Sequence, residues 1–293
     1  MAQLAQLLIG GIIAGGIYGS LALALVIINR STRIVNFAQG EMAALTTLLA
    51  WSLLRAQVPY WLTFFAVLVI AFALGFGVER LIVRRFELTS TMTAVVATLG
   101  LYTLINGGTQ FVWGGDIKTF PSPFPAYTFP VGSVAVSVQY LGTIGILLAV
   151  MAATYVLFEK THLGLVMRAA AMNRSSAELA GVNVGLMLEL GWGLATLIGA
   201  VAGLLIAPIT MLGPNIMVNV LIYAFAAAIL GGFESQAGAV VGGLVVGVGE
   251  NLLRSYVPFI GNDLSLPAVL ALIMVVLLVR PQGLFGRRSV TRV

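Results

Sequence analysis

Three carboxylates stand inside or at the edge of long apolar runs: Glu41, Glu234 and Glu250. An ionisable side chain in such a setting is costly and points to function by default. Glu41 closes the segment Asn36-Phe37-Ala38-Gln39-Gly40-Glu41, and Glu234 lies within Gly231-Gly232-Phe233-Glu234-Ser235-Gln236-Ala237-Gly238. Both segments are short polar interruptions containing glycine, each followed by a fresh apolar helix. Paired breaks of this kind, one in the first and one in the last third of the chain, point to a repeat architecture around a central pathway. Each carboxylate also falls near a new helix N-terminus, where the helix dipole favours negative charge. Two roles stay open for them: stabilising a half-helix start, or touching a solute. Glu250 has Arg254 four residues on, the spacing of an i,i+4 ion pair. Thr98, Tyr102, Asn106 and Gln110 recur every four residues on one helix face. Such a stripe faces protein or water rather than lipid. It suits interhelical hydrogen bonding or the lining of a route for a zwitterionic or uncharged solute.

No catalytic constellation accompanies these groups. His162 is the single histidine and cysteine is absent, so disulfides, thiolate nucleophiles and most metal sites are excluded. The chain has no G-x-x-x-x-G-K-[ST] phosphate loop and is not expected to bind and hydrolyse ATP by itself. The chemistry left is transport.

The elements that would position these residues are membrane helices. Hydrophobic residues make up 60% of the chain and charged residues 9%, and mean hydropathy is +1.05. A soluble domain carries about 25% charged residues, so this chain cannot dress a water-facing surface. The runs are apolar on all sides rather than alternating, which excludes a porin-like barrel. The 34 glycines suit close helix approach in a membrane. At roughly 20 apolar residues per crossing the chain divides into about nine candidate spans. They cover residues 4–28, 37–54, 58–78, 90–113, 140–158, 186–207, 215–231, 236–253 and 264–280. The weakest are 37–54, which begins with Gln39, Gly40 and Glu41, and 215–231, which is short; either could be re-entrant. The first span reads as retained rather than as a signal peptide, because no charge precedes Arg30.

Threading these spans gathers Arg30, Arg33, Arg80, Arg84, Arg85, Lys160, Arg168, Arg174, Arg280, Arg287, Arg288 and Arg292 on one side. Only Arg55, Lys118 and Arg254 are left for the other. The positive-inside rule then puts the N-terminus outside and the C-terminus in the cytoplasm. The net charge of +5 reads as cytoplasmic loop charge, not as a nucleic-acid surface. The longest outer connection, 114–140, carries Pro121, Pro123, Pro125 and Pro130. It is expected to be an ordered connector, or a docking surface for an extracytoplasmic protein.

Residues 159–185 form a polar island between charge-free stretches at 119–158 and 190–233. Ser175-Ser176-Ala177-Glu178 has the form of a capping box, with Ser175 as N-cap and Glu178 reaching back. Gly181 offers a helix stop. Residues 165–172 can make another turn or two, and alanines at 169, 170, 171, 177 and 180 let a partner surface approach. The island reads as a small helical knuckle for protein docking, against the alternative of an ordinary loop.

The run R-A-A-A-M-N-R-S-S-A-E-L-A-G-V-N resembles the cytoplasmic coupling loop of binding-protein-dependent ABC permeases, in particular the branched-chain amino acid permeases. Four further pieces agree with that family. They are N-F-A-Q-G-E at 36–41, E-R-x-x-x-R from Glu79 to Arg84, the glycine-rich span Gly231-Gly232 to Gly243 with Glu250, and V-R-P-Q-G-L-F-G at 279–286. The resemblance covers essentially the whole chain. It implies an all-α, type II-importer-like permease with two pseudo-symmetric halves and broken helices, one transmembrane domain over 1–293 with the coupling loop at 159–185 inside it.

It further implies that Arg168, Ala169, Ala170, Glu178, Leu179, Gly181 and Val182 meet a separate ATPase. Asn36, Gln39, Glu41, Gly231, Gly232 and Glu234 would flank the solute route together with Tyr102, Asn106 and Gln110. The implied partners are a similar permease or a second copy of this chain, two ATPase subunits holding ATP and Mg, and an extracytoplasmic solute-binding protein. The chain itself would hold no cofactor and no metal. The implied location is a bacterial or archaeal inner membrane. The implied solute is a branched-chain amino acid, although related permeases also serve urea and short amides. A stand-alone transporter or channel is the competing reading, and it has no use for a docking knuckle.

Overall fold

A computed structural model describes residues 2–87, 91–131, 134–257, 264–280 and 282–286. Each of the expected spans is a helix. They are α1 (Ala2–Thr32), α2 (Gln39–Arg55), α3 (Tyr60–Val78), α5 (Thr91–Trp113), α6 (Val138–Lys160), α9 (Val184–Thr210), α10 (Ile216–Gly231), α11 (Gln236–Tyr256) and α12 (Ser265–Val279). A π-helical turn, Glu79–Val83, and the short α4 (Arg84–Glu87) prolong α3. The island forms α7 (His162–Met172) and α8 (Arg174–Leu179), and a two-stranded hairpin, β1 (Thr128–Val131) and β2 (Val134–Ser137), precedes α6.

Among the described residues five helices are long and apolar enough to cross a membrane by length and composition, and α10 and α12 are shorter apolar helices; the nine expected crossings are not all matched by that measure. At 1.5 Å per residue the 17-residue α2 is about 25 Å long, under the ~30 Å of a hydrocarbon core. α2 and α5, which are not among the five, carry Glu41 and the polar stripe of residues 98–110.

Burial separates inner from outer helices. In α1 and α9, 89% and 83% of the apolar stretch is buried, against 33% in α3 and 22% in α6. An all-round apolar sequence permits either position, and small residues decide. Gly11, Gly15 and Gly19 of α1 face Gly243 and Gly247 of α11 so closely that a Cβ on either α11 glycine would fall on the α1 backbone. Spacing of four on both helices lets the two backbones meet, the packing that hydrocarbon favours where no hydrophobic driving force operates.

Both expected breaks exist. α1 ends at Arg33, a non-glycine residue in the left-handed region at φ 57°, and α2 starts at Gln39. α10 ends at Gly232 (φ 96°), and Ser235 caps α11 by accepting from the Gly238 N–H. The end of α10 is overlaid by residues 282–286, where the Leu284 and Phe285 N–H groups donate to the carbonyls of Leu230 and Gly231 at 2.7 and 3.1 Å. Pro281, Arg287, Arg288 and Arg292, used above for motif and orientation, lie outside the described residues. Lys118 and Leu212 exchange backbone hydrogen bonds at 2.7 and 2.9 Å, and the Trp51 indole donates to the Thr119 carbonyl.

Candidate functional site

Two polar centres are assembled from residues far apart in sequence. The first lies at the α1–α2 break. Asn36 accepts from the Ala38 N–H at 3.0 Å and donates to Gln39 at 3.2 Å, and Gln39 donates to the Ala195 carbonyl of α9 at 2.9 Å. Both side chains are fully buried, so this knot holds the break in place and its groups are occupied internally. Thr98 of α5 reaches the same loop, donating to the Val35 carbonyl and accepting from the Phe37 N–H at 3.4 Å each.

One turn into α2, Glu41 is 1% exposed. The Asn106 amide donates to Glu41 Oε2 at 3.2 Å and to Asn215 Oδ1 at 3.0 Å, while Gln110 donates to Asn106 Oδ1 at 2.6 Å. The α5 stripe and the Glu41 break thus form one network, with Thr98, Asn106 and Gln110 as its α5 members. Tyr102 belongs to the same face but packs half-buried against the core cluster that includes Leu101, Trp192 and Ile198. Asn215, in the residue before α10, was not foreseen from the sequence. Its only advance signal is a second asparagine one turn on, at 219, in an otherwise apolar run.

The late break is different. Gly231 packs directly on Gly238, leaving no room for a Cβ at either. Glu234 is no interior carboxylate: its side chain is 57% exposed and pairs with Arg33 at 3.5 Å. Glu250 is buried and meets Arg254 at 3.4 Å, as its spacing predicts, and also accepts from the Tyr18 hydroxyl at 2.8 Å.

The second centre lies beside the island. Arg84 donates through Nε and Nη2 to Glu79 at 3.3 and 3.0 Å, and through Nη2 to the Gly185 carbonyl at 2.8 Å and Glu189 at 2.7 Å. Glu79 and Glu189 are both buried. This clamp ties the π-helical turn after α3 to the first turns of α9. The E-R-x-x-x-R motif marked Glu79 and Arg84, but Glu189 was visible only as the last charge before a long apolar run.

Within the island, Thr161 caps α7 and Asn173 caps α8, the latter accepting from the Ser176 N–H at 3.0 Å. The expected capping box is therefore corrected. Ser175 lies inside α8, and Glu178 pairs with Arg174 at 3.2 Å instead of reaching back. The helix starts earlier because Ala177 must turn inward onto Ala170, Val184 and Leu188. Gly181 stops α8 at φ 81°: its N–H bonds to the Glu178 carbonyl and that of Val182 to Ala177, a Schellman closure. Arg168 is held by Glu159 at 2.6 Å. Ala170 is buried and Val182 half-buried, while Ala169, Glu178, Leu179 and Gly181 are exposed. Leu179 and Met172 are 90% and 83% exposed; Met172 and Leu165, also exposed, were missed because an apolar residue in a mostly apolar helix reads as core.

The family described as branched-chain amino acid transport system permease component matches residues 7–279. The chain belongs to that family. The permease is 27% identical to the high-affinity branched-chain amino acid transport system permease protein LivH of Salmonella typhimurium, over 98% of this chain and 97% of that protein. It is 30% identical to a probable branched-chain amino acid transport permease protein LivH of Methanocaldococcus jannaschii, over 96% and 92%. A solved structure, PsaBC from Streptococcus pneumoniae in complex with Fab, shares 14% identity with a TM-score of 0.49 and covers 93% of this chain and 89% of that one. Family and apolar helices together make the permease a multi-pass membrane protein.

Proposed function

We propose that the permease is the membrane subunit of a binding-protein-dependent ABC importer for amino acids, coupled at α7–α8 to separate ATPase subunits. The observation that carries this reading is the knuckle itself. Two short helices with side-chain caps and a Schellman closure hold Leu179 and Met172 out from the protein. An autonomous channel gains nothing from such a surface, whereas a chain without a phosphate loop needs an ATPase to drive it. Arg168, Ala169, Glu178, Leu179, Gly181 and Val182 border the docking face, and Ala170 supports it from beneath.

The solute route runs past Glu41, Asn106, Gln110 and Tyr102, with Asn36 and Gln39 shaping the broken helix and Gly231, Gly232 and Glu234 forming the second break. ATP and Mg belong to the partner ATPases. A second permease, similar or identical, completes the pathway, and an extracytoplasmic binding protein delivers the solute. The basic end, with Arg33, Arg84, Lys160 and Arg168, faces the cytoplasm of a bacterial or archaeal cell, which puts the N-terminus outside. The nearly full-length likeness to the two branched-chain amino acid permeases supports an aliphatic amino acid as solute.

The test is Leu179→Asp combined with Met172→Asp in the assembled importer. Co-purification of the ATPase subunits and uptake are expected to be lost while membrane insertion is retained. Unchanged co-purification overturns the reading.

A further inference from the structure

The buried carboxylates of this permease are neutralised, with one difference. Among the described residues Glu79 and Glu189 share Arg84, and Glu250 has Arg254. Glu41 is as buried as any of them, yet no lysine, arginine or histidine among the described residues pairs with it. Its neighbours are amides: Asn106 donates to it directly, and Asn215 and Gln110 follow. Burying an unpaired carboxylate costs several kcal/mol or more unless a cation or proton compensates it. Amide hydrogen bonds orient such a group without supplying the missing charge.

The carboxylate is also reachable. Asn106 is half-buried, and Gln110 and Asn215 are exposed, so polar atoms lead from the surface to Glu41. Lastly, Asn215 turns its side chain to Asn106 and makes no cap bond to α10. The 16-residue α10 therefore starts beside the network with no side chain closing its positive end.

We propose that Glu41, with Asn106 and Asn215, is the point on the solute route that takes the α-ammonium group of a zwitterionic amino acid. An ammonium offers three donors to acceptors, and here the uncompensated Glu41 carboxylate and Asn215 Oδ1 both reach the same Asn106 amide nitrogen. The start of α10 is placed for the solute carboxylate, the use that broken helices make of their N-termini. A metal is the poorer occupant, since no group of three His, Cys, Asp or Glu forms among the described residues. The assignment rests on the pathway reading above and gives it a substrate class.

The test uses the complete importer in lipid nanodiscs without its binding protein, with saturation-transfer NMR reporting contact with leucine, isoamylamine and 4-methylpentanoate. Leucine is expected to bind and isoamylamine to compete with it, while 4-methylpentanoate, which lacks the ammonium, does not. Glu41→Gln is expected to remove the leucine signal and to lower leucine uptake about tenfold or more, the range of a lost charge-assisted hydrogen bond; Glu41→Asp keeps a larger share. Equal competition by 4-methylpentanoate, or full uptake by Glu41→Gln, overturns the assignment. Should Glu41→Gln fail to assemble, the competition on the unaltered importer still decides. Full uptake by Asn106→Leu/Gln110→Leu would instead overturn the pathway reading itself.

Discussion

Glu41 and the pair Glu79–Glu189 are buried acids at two breaks in helical regularity, yet they are built for opposite purposes. At Glu79–Glu189 a single guanidinium satisfies both carboxylates and a backbone carbonyl. The planar fork of arginine suits that geometry, and a lysine could not reproduce it. At Glu41 the surrounding groups are neutral, amide-bearing and partly open to the surface. The first arrangement is closed and holds the island against α3. The second is incomplete in charge among the described residues, which is the basis for proposing it as the point that takes a cationic group. A membrane protein can thus use the same residue type as a fastener or as a binding point, and the nearest cation determines which.

That contrast can be broken experimentally. The largest effect is expected for Arg84→Met, which strands two buried carboxylates. The loss is about 3 kcal/mol, the low end for a buried pair because Arg84 is partly exposed. It should appear as a lower Tm of the purified importer, and Arg84→Lys should recover only part of it. An unchanged Tm for Arg84→Met would mean that the clamp contributes nothing.

Next in size is Asn106→Leu/Gln110→Leu. It should lower solute uptake about tenfold or more with little loss of assembled protein, since the network binds rather than fastens. Uptake in proteoliposomes, normalised to protein, checks this. In contrast, Glu41→Gln should leave Tm unchanged or raise it, because no cation is stranded, the buried charge is removed and the glutamine carbonyl still accepts from Asn106. A drop in Tm as large as that of Arg84→Met would erase the difference between the two centres.

The smallest effect concerns the knuckle that the clamp supports. Asn173→Ala removes the α8 cap and should cost about 1 kcal/mol, seen as roughly fivefold faster amide exchange in α8. Ser175→Ala should leave exchange within about 0.5 kcal/mol of the unaltered protein. The reverse ranking would restore the capping box.

Helix positions were legible because a hydrocarbon environment forces each span to satisfy its own backbone, and an apolar run longer than a strand leaves few alternatives. The α5 stripe and the Glu41 break were legible separately, as polar atoms where polar atoms are costly. Their union was not, because the side-chain period of one helix carries no information about which neighbour it meets. Glu234 looked interior by its flanking residues and turned out to lie on a surface turn beside Arg33. Ser175 looked like a cap by pattern. Asn173 serves equally well in that role, and the inward packing of Ala177 decided between them.

By itself the amino-acid order determined the membrane class, the run of helices, the two breaks, the absence of a phosphate loop and the family resemblance. Each of these follows from local composition or from short motifs. Only the tertiary structure decided that Asn215 joins Asn106 and Glu41, that Arg84 spans Glu79 and Glu189, and that Glu41 meets no cation among the described residues where the other buried acids have one. Those facts depend on residues tens to more than a hundred positions apart. They are set by the close glycine packing of α1 on α11 and by the way the remaining helices fill the space around that pair.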